Sequence, residues 1–71
     1  IRQILEEVLK KGMTKFILVH NHPSGDVTPS MQDLQVTKNI QEATQLVGLE
    51  LVDHIVLGEK SYYSILTKNG R

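Results

Sequence analysis

The stretch FILVHNHPSGDVTPSMQD, residues 16–33, decides how the chain is built. Phe16 to Val19 is a continuous apolar run, the pattern of a strand covered on both faces. Asn21 to Pro29 is polar, and Pro23, Gly25 and Pro29 punctuate it as a loop. A helix then starts near Ser30 and runs to about Val47, with Gly48 as its stop. Working outward, Leu49 to Leu57 reads as a second buried strand, Gly58 to Ser61 as a turn, and Tyr62 to Leu66 as a short final strand in a hairpin with it. On the other side, Ile1, Leu5, Val8 and Leu9 recur at helical spacing, with Arg2, Glu6, Glu7 and Lys10 between them. That helix runs to about Lys11, and Gly12 fits its C-terminal cap. Strand, helix, strand in this order gives a parallel pair joined by a right-handed crossover, so the expected class is α/β with a βαβ core.

With 71 residues the sequence is long enough for one domain, residues 1–71, with a small core. Eight basic residues balance eight acidic ones, giving a formal net charge of zero. A nucleic-acid partner calls for a basic excess to neutralise phosphates, so the charge argues against direct DNA binding. There is no cysteine, hence no disulfide framework, thiolate metal cage or cysteine nucleophile. That fits a reducing cytosol, and a cytoplasmic location is expected. No apolar run approaches a membrane span, and Ile1 does not begin a signal peptide, so no membrane partner is expected. The first helix opens without an N-cap residue before it, which reads as a piece of a longer protein whose upstream part is missing.

The chemistry sits where the first strand meets the loop. Alternate side chains of a strand share a face, so a strand persisting through residue 22 points Phe16, Leu18, His20 and His22 the same way. The two imidazoles then emerge at the C-terminal end of a buried strand, where sites gather in open α/β sheets. Each offers one neutral nitrogen to a metal. On the second helix, Asp33 continues the stripe of Val36, Thr37, Ile40, Ala43, Thr44 and Val47. A carboxylate on a core-facing stripe needs a partner, and a cation is a good one. Ser30 and Asp33 also have the spacing of a capping box, which by itself is a helix start and nothing more. Together, two same-face histidines and an inward aspartate make three nitrogen and oxygen ligands, the usual protein complement of a catalytic zinc.

His-x-His, seven residues, Ser, two residues, Asp is the JAMM motif of the JAB/MPN metalloprotease family, and His20, His22, Ser30 and Asp33 fill it without a spacing error. HNHPSGD, then PS, then D, with LVDHIVLG and YYS downstream, resembles the bacterial RadC-like branch over essentially the whole chain. The resemblance implies a cytidine-deaminase-like, three-layer α/β/α sandwich. It implies Zn2+ held by His20, His22 and Asp33, with Ser30 hydrogen-bonding the metal-bound water or the developing oxyanion. It implies hydrolysis of a peptide or isopeptide amide. The family's general base is a glutamate on an earlier strand, a position this chain does not reach. Glu6, Glu7, Glu42, Glu50 and Glu59 carry no motif support as substitutes, so the chain is expected to hold the metal half of a site.

Two function classes follow: a zinc-dependent amide hydrolase, and a noncatalytic or DNA-repair-associated RadC module with a structural metal. The literal string HNH is not evidence for an HNH nuclease, whose named residues are dispersed over a ββα unit. A zinc deaminase of similar fold needs cysteine ligands that are absent. Asp53 and His54 fall on opposite faces of the second strand; His54 either pairs with a neighbour or supports the site from behind its ligands, and the favoured reading is a satisfied buried histidine outside the site. Asp26 reads as a solvated loop acid, and Tyr62 and Tyr63 as packing for the final hairpin.

Overall fold

A computed structural model describes residues 2–71; the expectation that Ile1 joins the first helix lies outside the described residues. The elements are α1 (Arg2–Lys10), β1 (Lys15–Asn21), α2 (Met31–Leu46), β2 (Glu50–Leu57), β3 (Tyr62–Ser64) and β4 (Asn69–Gly70). The sheet order is β1-β2-β3-β4. β1 and β2 are parallel around α2, as the strand–helix–strand order requires, and β2–β3 and β3–β4 are antiparallel. The molecule is thus mixed α/β, consistent with a JAB/MPN fold.

One core forms where both helices meet one side of the sheet. Val8 of α1, Phe16 of β1, Ile40 of α2, and Leu49 and Leu51 make a single buried cluster, with Ile4, Leu5, Leu18, Val36 and Leu66 packed against it. The inward stripe of α1 is Ile4, Leu5 and Val8, whereas Leu9, expected on that stripe, is 53% exposed. The other side of β1 is open: Ile17 is 52% and Val19 60% exposed. The apolar run of β1 is therefore covered on one face only, and of the expected α/β/α sandwich the described residues supply the sheet and the helical packing on one side.

Two features depart from simple alternation. Phe16 pairs with Leu51 but Ile17 pairs with Asp53, so β2 carries one extra residue, Val52, as a bulge. The bulge lets Leu51 and His54, three positions apart, both be buried. The strand expected to run from Tyr62 to Leu66 is β3, and it ends at Ser64. There Asp53 accepts hydrogen bonds from the Ser64 hydroxyl and the Leu66 N–H. Those bonds tie the turn that leads to the unexpected β4. Among the described residues, no helix is long and apolar enough to cross a membrane.

Candidate metal centre

The site begins where β1 runs out. The His22 N–H still donates to the Leu57 carbonyl at 2.8 Å, extending the ladder past Asn21 and fixing the backbone that carries both histidines. Their rings lie edge to face with centroids 4.8 Å apart. The chain then turns through Gly25, whose φ of +84° suits a residue without Cβ, and the Gly25 N–H donates to the His22 carbonyl. Asp26 caps the same loop by accepting the Thr28 N–H at 3.0 Å.

The loop delivers the chain to α2 through a complete capping box. The Ser30 hydroxyl oxygen accepts the Asp33 N–H at 3.0 Å, and Asp33 Oδ2 accepts the Ser30 N–H at 2.8 Å. The capping-box reading of Ser30 and Asp33 is correct, and it does not exhaust Asp33. The carboxylate is 5% exposed and faces both imidazoles: Oδ2 is 3.1 Å from His22 Nε2, and Oδ1 is 3.6 Å from His20 Nδ1. One ligand atom from each of His20, His22 and Asp33 lies within 4.8 Å of the others. The structure therefore brings together the three residues expected as ligands, with Ser30 at their edge.

Hydrogen-bond bookkeeping sharpens this. His22 Nδ1 sits 2.9 Å from the Asp26 carbonyl, which can only accept, so Nδ1 carries a proton. A neutral His22 then presents a bare Nε2 lone pair to Asp33 Oδ2, an acceptor facing an acceptor. A cation between the two atoms would satisfy both. A ring that donates its outer N–H to a backbone carbonyl and turns its other nitrogen inward is also the usual posture of a metal-ligating histidine. Burial pushes the Asp33 pKa up, but the hydrogen bonds from Ser30, backbone and side chain, and the two imidazoles outweigh it and hold it below the ordinary carboxylate value. Asp33 is an anion at neutral pH.

A cavity of about 340 Å³ opens beside these groups, with Ile4, Leu18 and Val36 on its apolar wall and His20, Asp33 and His54 on its polar one. Among the described residues, no glutamate lines it. Glu6 pairs with Arg2 at 3.0 Å and Glu7 with Lys11 at 3.9 Å, both on the exposed side of α1. His54 is buried and its Nδ1 lies 2.6 Å from the Thr37 hydroxyl, so the satisfied-histidine reading is right about its partner. Its position also fits the supporting-group alternative: His54 walls the same cavity, 6.3 Å from the His20 ring. Thr37, one turn beyond Asp33, was only a stripe residue.

The RadC-like JAB domain model matches residues 1–70. The chain belongs to the RadC-like JAB domain family. It is 46% identical over 67 residues to the UPF0758 protein YsxA of Bacillus subtilis (strain 168), a match covering 94% of this chain and 29% of that protein. A UPF0758 protein of Bacillus licheniformis is also 46% identical, over 94% of this chain and 30% of its own length. One from Alkaliphilus metalliredigens is 44% identical, over 96% of this chain and 29% of its own. This RadC-like JAB domain thus spans about three tenths of the length of these relatives. Two imidazole nitrogens and a buried carboxylate are a donor set that suits zinc in a three-ligand site.

Proposed function

We propose that this RadC-like JAB domain binds one zinc ion through His20, His22 and Asp33 and forms the metal-holding half of an amide hydrolase. The observation that carries the reading is the pairing of His22 Nε2 with Asp33 Oδ2 at 3.1 Å while His22 Nδ1 is committed to the Asp26 carbonyl. When bound there, zinc supplies a Lewis acid that polarises a carbonyl and lowers the pKa of water toward neutrality.

The chain's own residues have distinct tasks. His22 is held by the loop carbonyl and presents a fixed nitrogen. His20, half exposed, completes the nitrogen pair from β1. Asp33 brings the negative charge that compensates a divalent cation, and the N-terminus of α2 favours that charge. Ser30 uses an oxygen lone pair to cap α2, so its hydroxyl proton remains free to donate to a substrate oxygen that gains charge. The substrate class is a peptide or isopeptide amide. The general base is a glutamate supplied by a longer protein, as the family resemblance implies; among the described residues none lines the cavity.

Peptide and isopeptide hydrolysis by a longer RadC-like protein containing this domain tests the proposal. Turnover should fall at least about 10²-fold on Asp33→Ala and on zinc removal, and return when zinc is restored to the parent only. Turnover indifferent to both would refute it.

A further inference from the structure

Asp33 and the two histidines reach the site on different elements, so something besides the metal must set their separation. His20 and His22 ride on β1 and the loop after it, whereas Asp33 rides on the first turn of α2. The Thr37 hydroxyl donates to the Asp33 carbonyl at 2.9 Å. Its proton spent, the same oxygen accepts from His54 Nδ1 at 2.6 Å. His54 belongs to β2, where it pairs with Leu18; two pairs along the same ladder, past Val19–Ile55, His20 pairs with Val56. Both side chains are buried, Thr37 at 3% and His54 at 3% exposed. A continuous path therefore runs from the turn carrying Asp33, through Thr37 and His54, across the β2–β1 ladder to His20.

We propose that Thr37 and His54 are positioning residues of the metal centre, a latch that fixes the first turn of α2 against the sheet so that Asp33 meets the β1 histidines at ligand distance before any ion arrives. The inference rests on the zinc reading of His20, His22 and Asp33. A latch of this kind differs from an ordinary core hydrogen bond in what its loss changes. Losing a core bond lowers stability and leaves the metal geometry alone. Losing the latch leaves a folded chain whose aspartate is no longer preset. Partners one step removed from a metal typically change affinity about 10–100-fold when lost.

The test is a titration of the metal-free chain with zinc, and separately with cobalt, whose visible absorption reports ligand geometry. Thr37→Val keeps the side-chain shape and removes the hydroxyl. Thr37→Ser keeps the hydroxyl. His54→Phe keeps a ring and removes the donor. Folding of each is followed by circular dichroism. The latch predicts zinc binding weakened at least about 10-fold in Thr37→Val and His54→Phe, a displaced or weakened cobalt band, and near-parental behaviour in Thr37→Ser. If Thr37→Val does not fold, the Thr37→Ser and His54→Phe pair decides alone. Parental affinity and spectrum in His54→Phe, or Thr37→Ser as weak as Thr37→Val, would overturn the latch while leaving the zinc site standing. A parent chain that takes up no zinc would overturn the site and the latch together.

Discussion

Asp33 shows how one side chain serves both the fold and the site. Its Oδ2 closes the capping box with Ser30 while facing His22, so the helix start and the ligand cluster share an atom. Ser30 separates the two roles experimentally. Ser30→Ala should cost about 1 kcal/mol of stability through the lost cap, whereas Ser30→Asp should cost little because aspartate caps as well. Denaturant melts of the chain check this. Both changes should lower turnover of a longer active protein if the hydroxyl proton also serves the substrate oxygen, and full activity with alanine would leave capping as the only role. His54 gives a second prediction, on pH. Burial lowers its pKa first, with the Asp33 charge opposing, His20 reinforcing and Asp53 opposing, and the net direction is down. The unfolded chain therefore binds a proton that the folded chain refuses. His54 contributes stability that is complete above the unfolded value near 6.5 and is lost as pH falls from there through the lower folded value. Melts between about pH 7 and pH 5 should show this loss, flattened in His54→Gln. An equal slope in parent and variant would count against the assignment.

Between elements, the loop from His22 to Pro29 is held as much by its neighbour as by its own turns. A Cβ placed on Gly58 would come within 2.8 Å of both the Gly25 carbonyl oxygen and a Val27 methyl. The turn after β2 thus packs directly on the loop that orients His22. Gly58→Ala should force that loop outward, costing about 1–3 kcal/mol as overpacking does and weakening metal uptake. A thermal melt with a parallel zinc titration checks both effects. Most of the elements were legible in the sequence because their signals are local. Ser30 and Gly48 bracket α2, and Gly12 follows α1 with φ of +69°. The histidine, serine and aspartate spacing was legible for the same reason. The Thr37–His54 contact was not, because it depends on the Val52 bulge that brings His54 into phase with Leu51 on the buried face. Nothing in the local pattern of LVDHIVL announces an extra residue. The open face of β1 was hidden too, since an apolar run reads alike whether one side or both are covered.

At the scale of the whole molecule, the two histidines of the β1 end and the aspartate of α2 meet at one edge of the sheet. Three candidate ligands and Ser30 stand together, yet among the described residues no glutamate lines the cavity to take a proton from water. The relatives are more than three times as long as the matched region, which leaves ample chain to supply one. Residues 1–71 loaded with zinc should therefore hydrolyse amides negligibly. A longer protein bearing the upstream glutamate should be faster by about 10²–10⁴-fold, and glutamine in place of that glutamate should remove the gain without changing zinc content. Equal turnover by the short and long chains would defeat the missing-base account and turn attention to Glu6 and Glu7. The central claim, that His20, His22 and Asp33 make one metal site, is tested most directly by titrating the metal-free chain with zinc and measuring stoichiometry. The account predicts one ion per chain, with binding abolished in His22→Ala and Asp33→Ala while circular dichroism shows both still folded. Folded variants that take up zinc as the parent does would contradict it.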